Sequence, residues 1–401
     1  MDAISGGHLI HAETACFVHQ KQLHMGESCL MRIPSLALTS LAIGVAVCAG
    51  GTTARAATPD LAAAKAVVDQ HTTLPAFNPP GPPFDARKCM AGKKILTIPV
   101  SSANPFTKNI AIAMTQVAKQ IGFQVVEWEN QARPTQWVQG IEFAINNKFN
   151  AIDLLGGTNP AVLGPQIADA HKAGLQVFTS HLYDTIQKPD PNVDYSLAIP
   201  YHSVGELLAD WVTLKTDGKV DALIIGSDEI IPTAPFVKGI TTTLKEVCGP
   251  QCKYKYINAP VPEWSTKIKT SVQSALIADP NINTIIPIYD SMSQFVIPAI
   301  TITGRTGKVK IATFNGTPFV IDDLQRGQVE MDVGESIGWI ARSILDGYMR
   351  KLCGLKTYTE LYVPFYIFDS HNAKDAGTPA DYVHGYGDQF IAGYNKLWML
   401  K

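Results

Sequence analysis

The sequence predicts an α/β protein built from two blocks of parallel β-α units. Three observations carry this. Short apolar strands alternate with amphipathic helices from Lys93 onward, and the alternation restarts near Tyr201. Apolar residues make up 46% of the 401 residues, enough for a substantial core. With 17% charged residues against about 25% in typical domains, the chain is not intrinsically disordered. Its 33 Lys+Arg against 35 Asp+Glu offer no basic surface to reward phosphates, so no nucleic-acid partner is expected. The only long apolar stretch lies near the amino terminus, which argues against an integral membrane protein.

The amino-terminal residues read as three pieces. Residues 1–30 show no periodicity and are expected to be a non-native leader, with translation starting at Met25 or Met31. Residues 31–56 form a secretory signal: one charge at Arg32, a short apolar core to Gly50, and Ala54-Arg55-Ala56 as the cleavage pattern. That core is too short and too rich in small residues to span a bilayer comfortably. Cys48 suggests lipidation, but Val47 is bulky for that site, so cleavage near Ala56 and a periplasmic protein are expected. Residues 57–91 form a proline-rich linker or strap with Pro79-Pro80-Gly81-Pro82-Pro83 at its centre, expected to lack regular structure.

Export leaves Cys89, Cys248, Cys252 and Cys353, an even number in an oxidising compartment. Cys248-Gly-Pro-Gln-Cys252 is either a bridge closing a small loop or a zinc half-site. No second pair follows at suitable spacing, so the bridge is preferred. Cys89–Cys353 is the remaining pairing.

In the first block, Ile95–Val100 is strand-like, and Ile110, Met114, Val117 and Ile121 then share one helical face. Strand Val125–Trp128, a helix marked by Trp137, Ile141 and Ile145, and strand Ala151–Leu155 follow. A helix through Leu163, Ile167 and Ala170 leads to strand Gln176–Thr179. Four such units in about 90 residues imply a parallel sheet covered on both faces. The second block opens with a helix at Val204–Trp211 and continues with strands at 220–226, 254–257, 284–288, 309–314 and 329–333. Helices lie between them, and a last long helix carries Ile337, Ile340, Ile344 and Leu345. Sheets of this kind bind ligands at the carboxyl ends of their strands.

Five segments, in order, resemble the ribose-type periplasmic binding proteins of ABC importers. Lys94-Ile95 through Asn104-Pro105-Phe106 looks like the first strand and its N-P-F ligand loop. Gln139–Glu142 with Ala151–Leu154, Ala170–Val177, Ala278-Asp279-Pro280-Asn281-Ile282 and Thr313–Pro318 follow at matching spacing. The resemblance covers about residues 93–400. It implies two Rossmann-like lobes with parallel sheets, joined by a three-crossing hinge and closing on a small solute, the type I fold. It places the lobes at 92–199 plus 334–362 and at 200–333 plus 363–401. It also implies a monomer without cofactor that hands its solute to a membrane permease.

Carried over residue by residue, the ligand loop falls on Asn104 and Phe106, and the end-of-strand polar pair on Ser180-His181, where sugar binders carry Asp-Arg. The aromatic wall falls on Trp264, the N-D pair on Tyr289-Asp290, the F-D-G aspartate on Asn315, and the hinge glutamine near Asp332. No arginine follows the second-lobe turn, where Thr233-Ala234-Pro235-Phe236 stands. Losing bidentate charged groups weakens the case for an ordinary pyranose. It favours a more apolar or aromatic solute, or a sugar derivative read by Asn, His and Tyr. The competing reading makes Phe106 and Trp264 core aromatics, His181 a surface loop residue and Tyr289 a packing residue between the lobes.

The main alternative is an esterase of the α/β-hydrolase type. Gly334-Glu335-Ser336-Ile337-Gly338 is a G-x-S-x-G between a strand and a helix, with Ser336 as the nucleophile. Only about 60 residues remain downstream to place its Asp and His, and no H-G-G-G stretch is present. Other classes lack their signatures: no G-x-G-x-x-G opens a helix, Gly304–Lys308 is spaced wrongly for a phosphate loop, and no histidine pair has metal-ligand spacing.

Overall fold

The computed structural model describes residues 58–400, so the leader read at 1–30 and the signal at 31–56 lie outside the described residues. Within 58–91, where no regular structure was expected, two helices form: α1 (Leu61–Asp69) and α2 (Ala86–Met90). Five of the six prolines in this segment lie between Pro75 and Pro83 and the other is Pro59, ahead of α1, which leaves the Ala-rich stretch between free to coil. Each helix starts on an aspartate cap: Asp60 accepts from the Ala63 amide at 2.9 Å and Asp85 from the Lys88 amide at 3.0 Å.

The first lobe contains β1 (Lys94–Pro99), α3 (Pro105–Ile121), β2 (Gln124–Glu127), α4 (Pro134–Asn146), β3 (Ala151–Leu155), α5 (Gly164–Lys172), β4 (Gln176–Asp184) and β5 (Tyr195–Ile199). Its five strands lie in the order β2-β1-β3-β4-β5, every pair parallel. The central strands are buried on both faces by Ile95, Ile98, Ile152, Leu154 and Val177, as helix-covered parallel sheets require.

The second lobe adds α6 (Tyr201–Lys215), β6 (Asp221–Gly226), α7 (Thr233–Thr243), β7 (Lys253–Asn258), α8 (Trp264–Ala278), β8 (Thr284–Pro287), α9 (Ser293–Ile302), β9 (Lys310–Asn315), α10 (Pro318–Gln325) and β10 (Met331–Gly334). After α11 (Ile337–Leu352), β11 (Tyr366–Phe368) pairs antiparallel with β10, and α12 (Gln389–Leu397) ends the chain. The second sheet therefore runs β11-β10-β9-β8-β6-β7.

The chain passes between the sheets three times: after β5, after β10, and before β11. On the last passage Leu361 donates to Ala198 at 2.8 Å before the chain enters the second sheet. These two sheets and three passages form the two-lobed architecture that the resemblance implies. The segment 363–401, placed as a whole in the second lobe, divides instead. Gln325 donates to the Ala373 carbonyl at 3.0 Å on the second lobe. Helix α12 stacks Phe390 on Trp339 of α11 (centroids 4.9 Å apart), and α11 packs on α3 of the first lobe.

Residues 58–91 touch both lobes. Helix α1 packs on α6, and the Asp60 amide donates to Val247 at 2.8 Å. The Ile367 amide of β11 donates to the His71 carbonyl at 2.8 Å. Beyond Pro75 the contacts change lobe. The Phe77 ring sits 4.9 Å from that of Tyr394, and the Phe84 amide donates to Leu397 at 2.9 Å. Cys89 is then bonded to Cys353 at the end of α11. The second disulfide joins Cys248 to Cys252, so the zinc half-site alternative lapses.

Candidate functional site

The site forms where the strands of both sheets end and their loops face each other. Asn104 is the N-cap of α3, with Pro105 at its first turn; its Oδ1 accepts from the amides of Phe106 (2.9 Å) and Thr107 (3.4 Å). The same oxygen accepts from Ser291 Oγ of the opposite lobe at 3.4 Å. Among the described residues its amide nitrogen makes no hydrogen bond to protein and keeps its capacity to donate.

His181 is set by a break in β4. The strand's register shifts between Ser180 and Asp184, and His181 takes a left-handed φ of 53°. A non-glycine residue held there marks local strain that the surroundings must offset. Two contacts do so. The ring's Nε2 pairs with Glu335 at 2.5 Å and its Nδ1 with the Tyr201 hydroxyl at 2.5 Å. Phe106 packs edge-on against the ring, centroids 4.9 Å apart. His181 is thus buried between the lobes, not a surface loop residue.

The second lobe supplies Trp264, which opens α8 and is fixed by donating Nε1 to Ser227 Oγ and the Ala259 carbonyl, each at 3.0 Å. Its ring lies nearly parallel to that of Tyr289, whose hydroxyl meets Thr233 at 3.0 Å. Burial pushes the Tyr289 phenol well up, so it stays protonated. Asn315, at φ 143°, donates toward Glu335 at 3.4 Å.

Six of the eight expected residues line one cavity: Asn104, Phe106, His181, Trp264, Tyr289 and Asn315. Tyr201, Ile230 and Val261, which the sequence reading passed over, line it too. The cavity holds about 30 Å³, room for roughly two waters. It is flanked by larger openings of about 400 and 590 Å³. Anything larger fits in the cavity only if the two lobes stand further apart. The lining residues include no Lys or Arg to meet an acid or a phosphate, and the one histidine, His181, is already paired with Glu335.

Asp290 and Asp332 do not line this cavity. Both turn to the loop after β9: Asp290 accepts from the Thr317 amide (2.6 Å) and hydroxyl (2.7 Å), and Asp332 accepts from the Gly316 amide (3.2 Å). They hold the loop that presents Asn315. Burial pushes the Asp290 carboxyl up to about 7. Burial, followed by its neighbour Asp290, also drives the Asp332 carboxyl well above the usual carboxylate range. The unfolded chain releases these protons near pH 3.9. The stabilising contribution of Asp290 is therefore complete below about pH 4 and lost as pH rises through about 7. Unfolding free energy is expected to drop between pH 5 and pH 8. Asp290→Asn, neutral throughout, should shrink that drop by about 1 kcal/mol or more. Urea titrations at both pH values check this; an unchanged drop contradicts it.

Ser336, the nucleophile of the esterase alternative, is 1% exposed. Its Oγ accepts from the Trp339 amide at 3.3 Å as the N-cap of α11. A capping hydroxyl enclosed by protein is not presented to a substrate, so the G-x-S-x-G here is a helix start.

A family model described as "periplasmic binding protein domain" matches residues 95–356. No curated protein sequence matches at a significant level. Among solved structures, an ABC transporter solute-binding protein from Agrobacterium vitis with bound allitol has a TM-score of 0.63 at 18% identity, covering 72% of this chain and 99% of that one. The 5-methylthioribose transporter binding protein of Thermotoga lettingae, in complex with that sugar, has a TM-score of 0.63 at 17% identity, covering 79% and 95%. A carbohydrate transporter from Acidothermus cellulolyticus in complex with myo-inositol has a TM-score of 0.60 at 17% identity, covering 72% and 97%. At these identities the likeness is one of fold.

Proposed function

Since this chain belongs to the periplasmic binding protein family, we propose that it captures a small neutral polyhydroxylated solute between its lobes, outside the cytoplasm, and delivers it unaltered to an ABC importer permease. One observation carries the reading: polar and aromatic side chains from both lobes converge on a single cavity at the strand ends. Asn104, His181 and Asn315 offer fixed hydrogen-bonding groups, while Phe106, Trp264 and Tyr289 offer flat apolar faces, the mixture that small-molecule sites require. The hinge gives the solute its hold, because contacts to both lobes exist only in the closed state.

A thermal-shift screen of the purified protein against sugars and polyols tests this. Ligand at a hundredfold excess over its Kd should raise the Tm by several degrees. A panel including ribose, allose, allitol and myo-inositol that leaves the Tm unmoved contradicts the proposal.

A further inference from the structure

The reading of the cleft as a solute site leaves the ligand class open, and the space next to the inner cavity narrows it. The cavity and the opening of about 590 Å³ share Val100, Ile230 and Val261 as walls, so the two spaces are adjacent across these side chains. The opening is walled from both lobes: Trp137 of α4 and Val162 of the turn before α5 on one side, Ile231, Pro260 and Pro262 on the other. Val162 is 59% exposed at this mouth. The other opening, about 400 Å³, differs in character, with Gln131, Arg133 and Gln294 among its walls.

Charge points the same way. The larger opening has two carboxylates, Asp228 and Glu229, and no Lys or Arg among its walls. Asp228 accepts from the Tyr256 hydroxyl at 2.5 Å and Glu229 from the Val261 amide at 2.6 Å. An anionic substituent is repelled there, and away from Asn159 and the two carboxylates a hydroxylated one gains little from the valine, isoleucine and proline walls. An apolar group gains from every methylene it withdraws from water.

We infer that the solute is amphipathic: a neutral polyol head read by Asn104, His181 and Asn315, with an alkyl or alkylthio substituent passing Val261 into the opening beside Trp137 and Val162. The inference rests on the proposed solute-binding function and specifies its substrate class. The inner cavity takes the head only once the lobes part, and the substituent then lies in the adjacent opening.

The test is calorimetric titration of the full protein with ribose and with 5-alkylthioriboses from methyl to n-butyl. Affinity should rise from ribose to the thioethers and then by about fourfold per added methylene. Val162→Asp, at an exposed position of the turn, should flatten the series, so that the butyl and methyl compounds bind within about twofold of each other. A flat series in the native protein overturns the inference, as does a slope that Val162→Asp leaves intact while its Tm matches the native one. Binding of allitol or myo-inositol with no member of the thioether series bound overturns the inference but preserves the underlying function. Failure of the whole panel, parent sugars and polyols included, overturns that function itself.

Discussion

Replacing Arg350 by methionine is expected to lower the free energy of unfolding by about 3–5 kcal/mol. Arg350 and Asp346 form an i,i+4 pair on α11, Nε to Oδ2 2.7 Å, with 1% and 0% of the side chains exposed. Asp346 also accepts from Trp398 Nε1 at 2.8 Å and from the Tyr358 hydroxyl at 2.9 Å. Arg350 donates to the Pro82 carbonyl at 3.0 Å and covers the Phe84 ring at 4.9 Å. One ion pair thus gathers the proline run, α11 and α12. Removing the guanidinium leaves a carboxylate in the interior with only neutral donors, and that uncompensated charge is the main cost. A double variant, Asp346→Leu with Arg350→Met, should recover part of the loss because no charge is stranded. Urea unfolding of the three proteins decides it; a single-variant loss below about 1 kcal/mol refutes the argument.

The second large effect concerns the ligand. Trp264→Ala is expected to weaken binding of whichever sugar or polyol the thermal screen identifies by about thirtyfold or more, the penalty of losing an aromatic anchor in an enclosed site. The ring is held by two hydrogen bonds and stacked on Tyr289, so it meets a solute already oriented. Trp264→Phe keeps a flat face and should retain most of the affinity. Because Trp264 also packs in the second-lobe core, its truncation costs stability as well. Titration therefore belongs at a temperature where circular dichroism shows the variant folded. Affinity within threefold of the native protein removes Trp264 from the site.

The fold was legible where local pattern decides structure. Strand Ile95–Val100 was read within a residue of the observed Lys94–Pro99, and the apolar face at Ile337, Ile340, Ile344 and Leu345 lies on the observed α11. Strand β5, Tyr-Ser-Leu-Ala-Ile, escaped notice because it is short and gains its place from β4 and from residues 359–361, far along the chain. Helices α1 and α2 were hidden by the proline density averaged over their whole segment. In the site, Asn104 and Phe106 were readable because Asn104-Pro105-Phe106 is a contiguous stretch that resembles the family's ligand loop. Tyr201 and Glu335 were not, since nothing near His181 in sequence says that these two, 20 and 154 positions away, close on its ring. Asp290 and Asp332 were the right residue types for a polar pocket. Their side chains instead satisfy backbone amides, which only the folded loop displays.

The amino-terminal segment has a mechanical consequence. His71 is fastened to the second lobe and Phe77 to the first, so residues 72–76 alone bridge the step. Six peptide units reach at most about 20 Å, and Pro75 stiffens them. This leash runs in parallel with the three hinge passages and is locked at its far end by Cys89–Cys353. For the opening motion proposed above it is a travel stop, because the lobes part only as far as that short tether pays out.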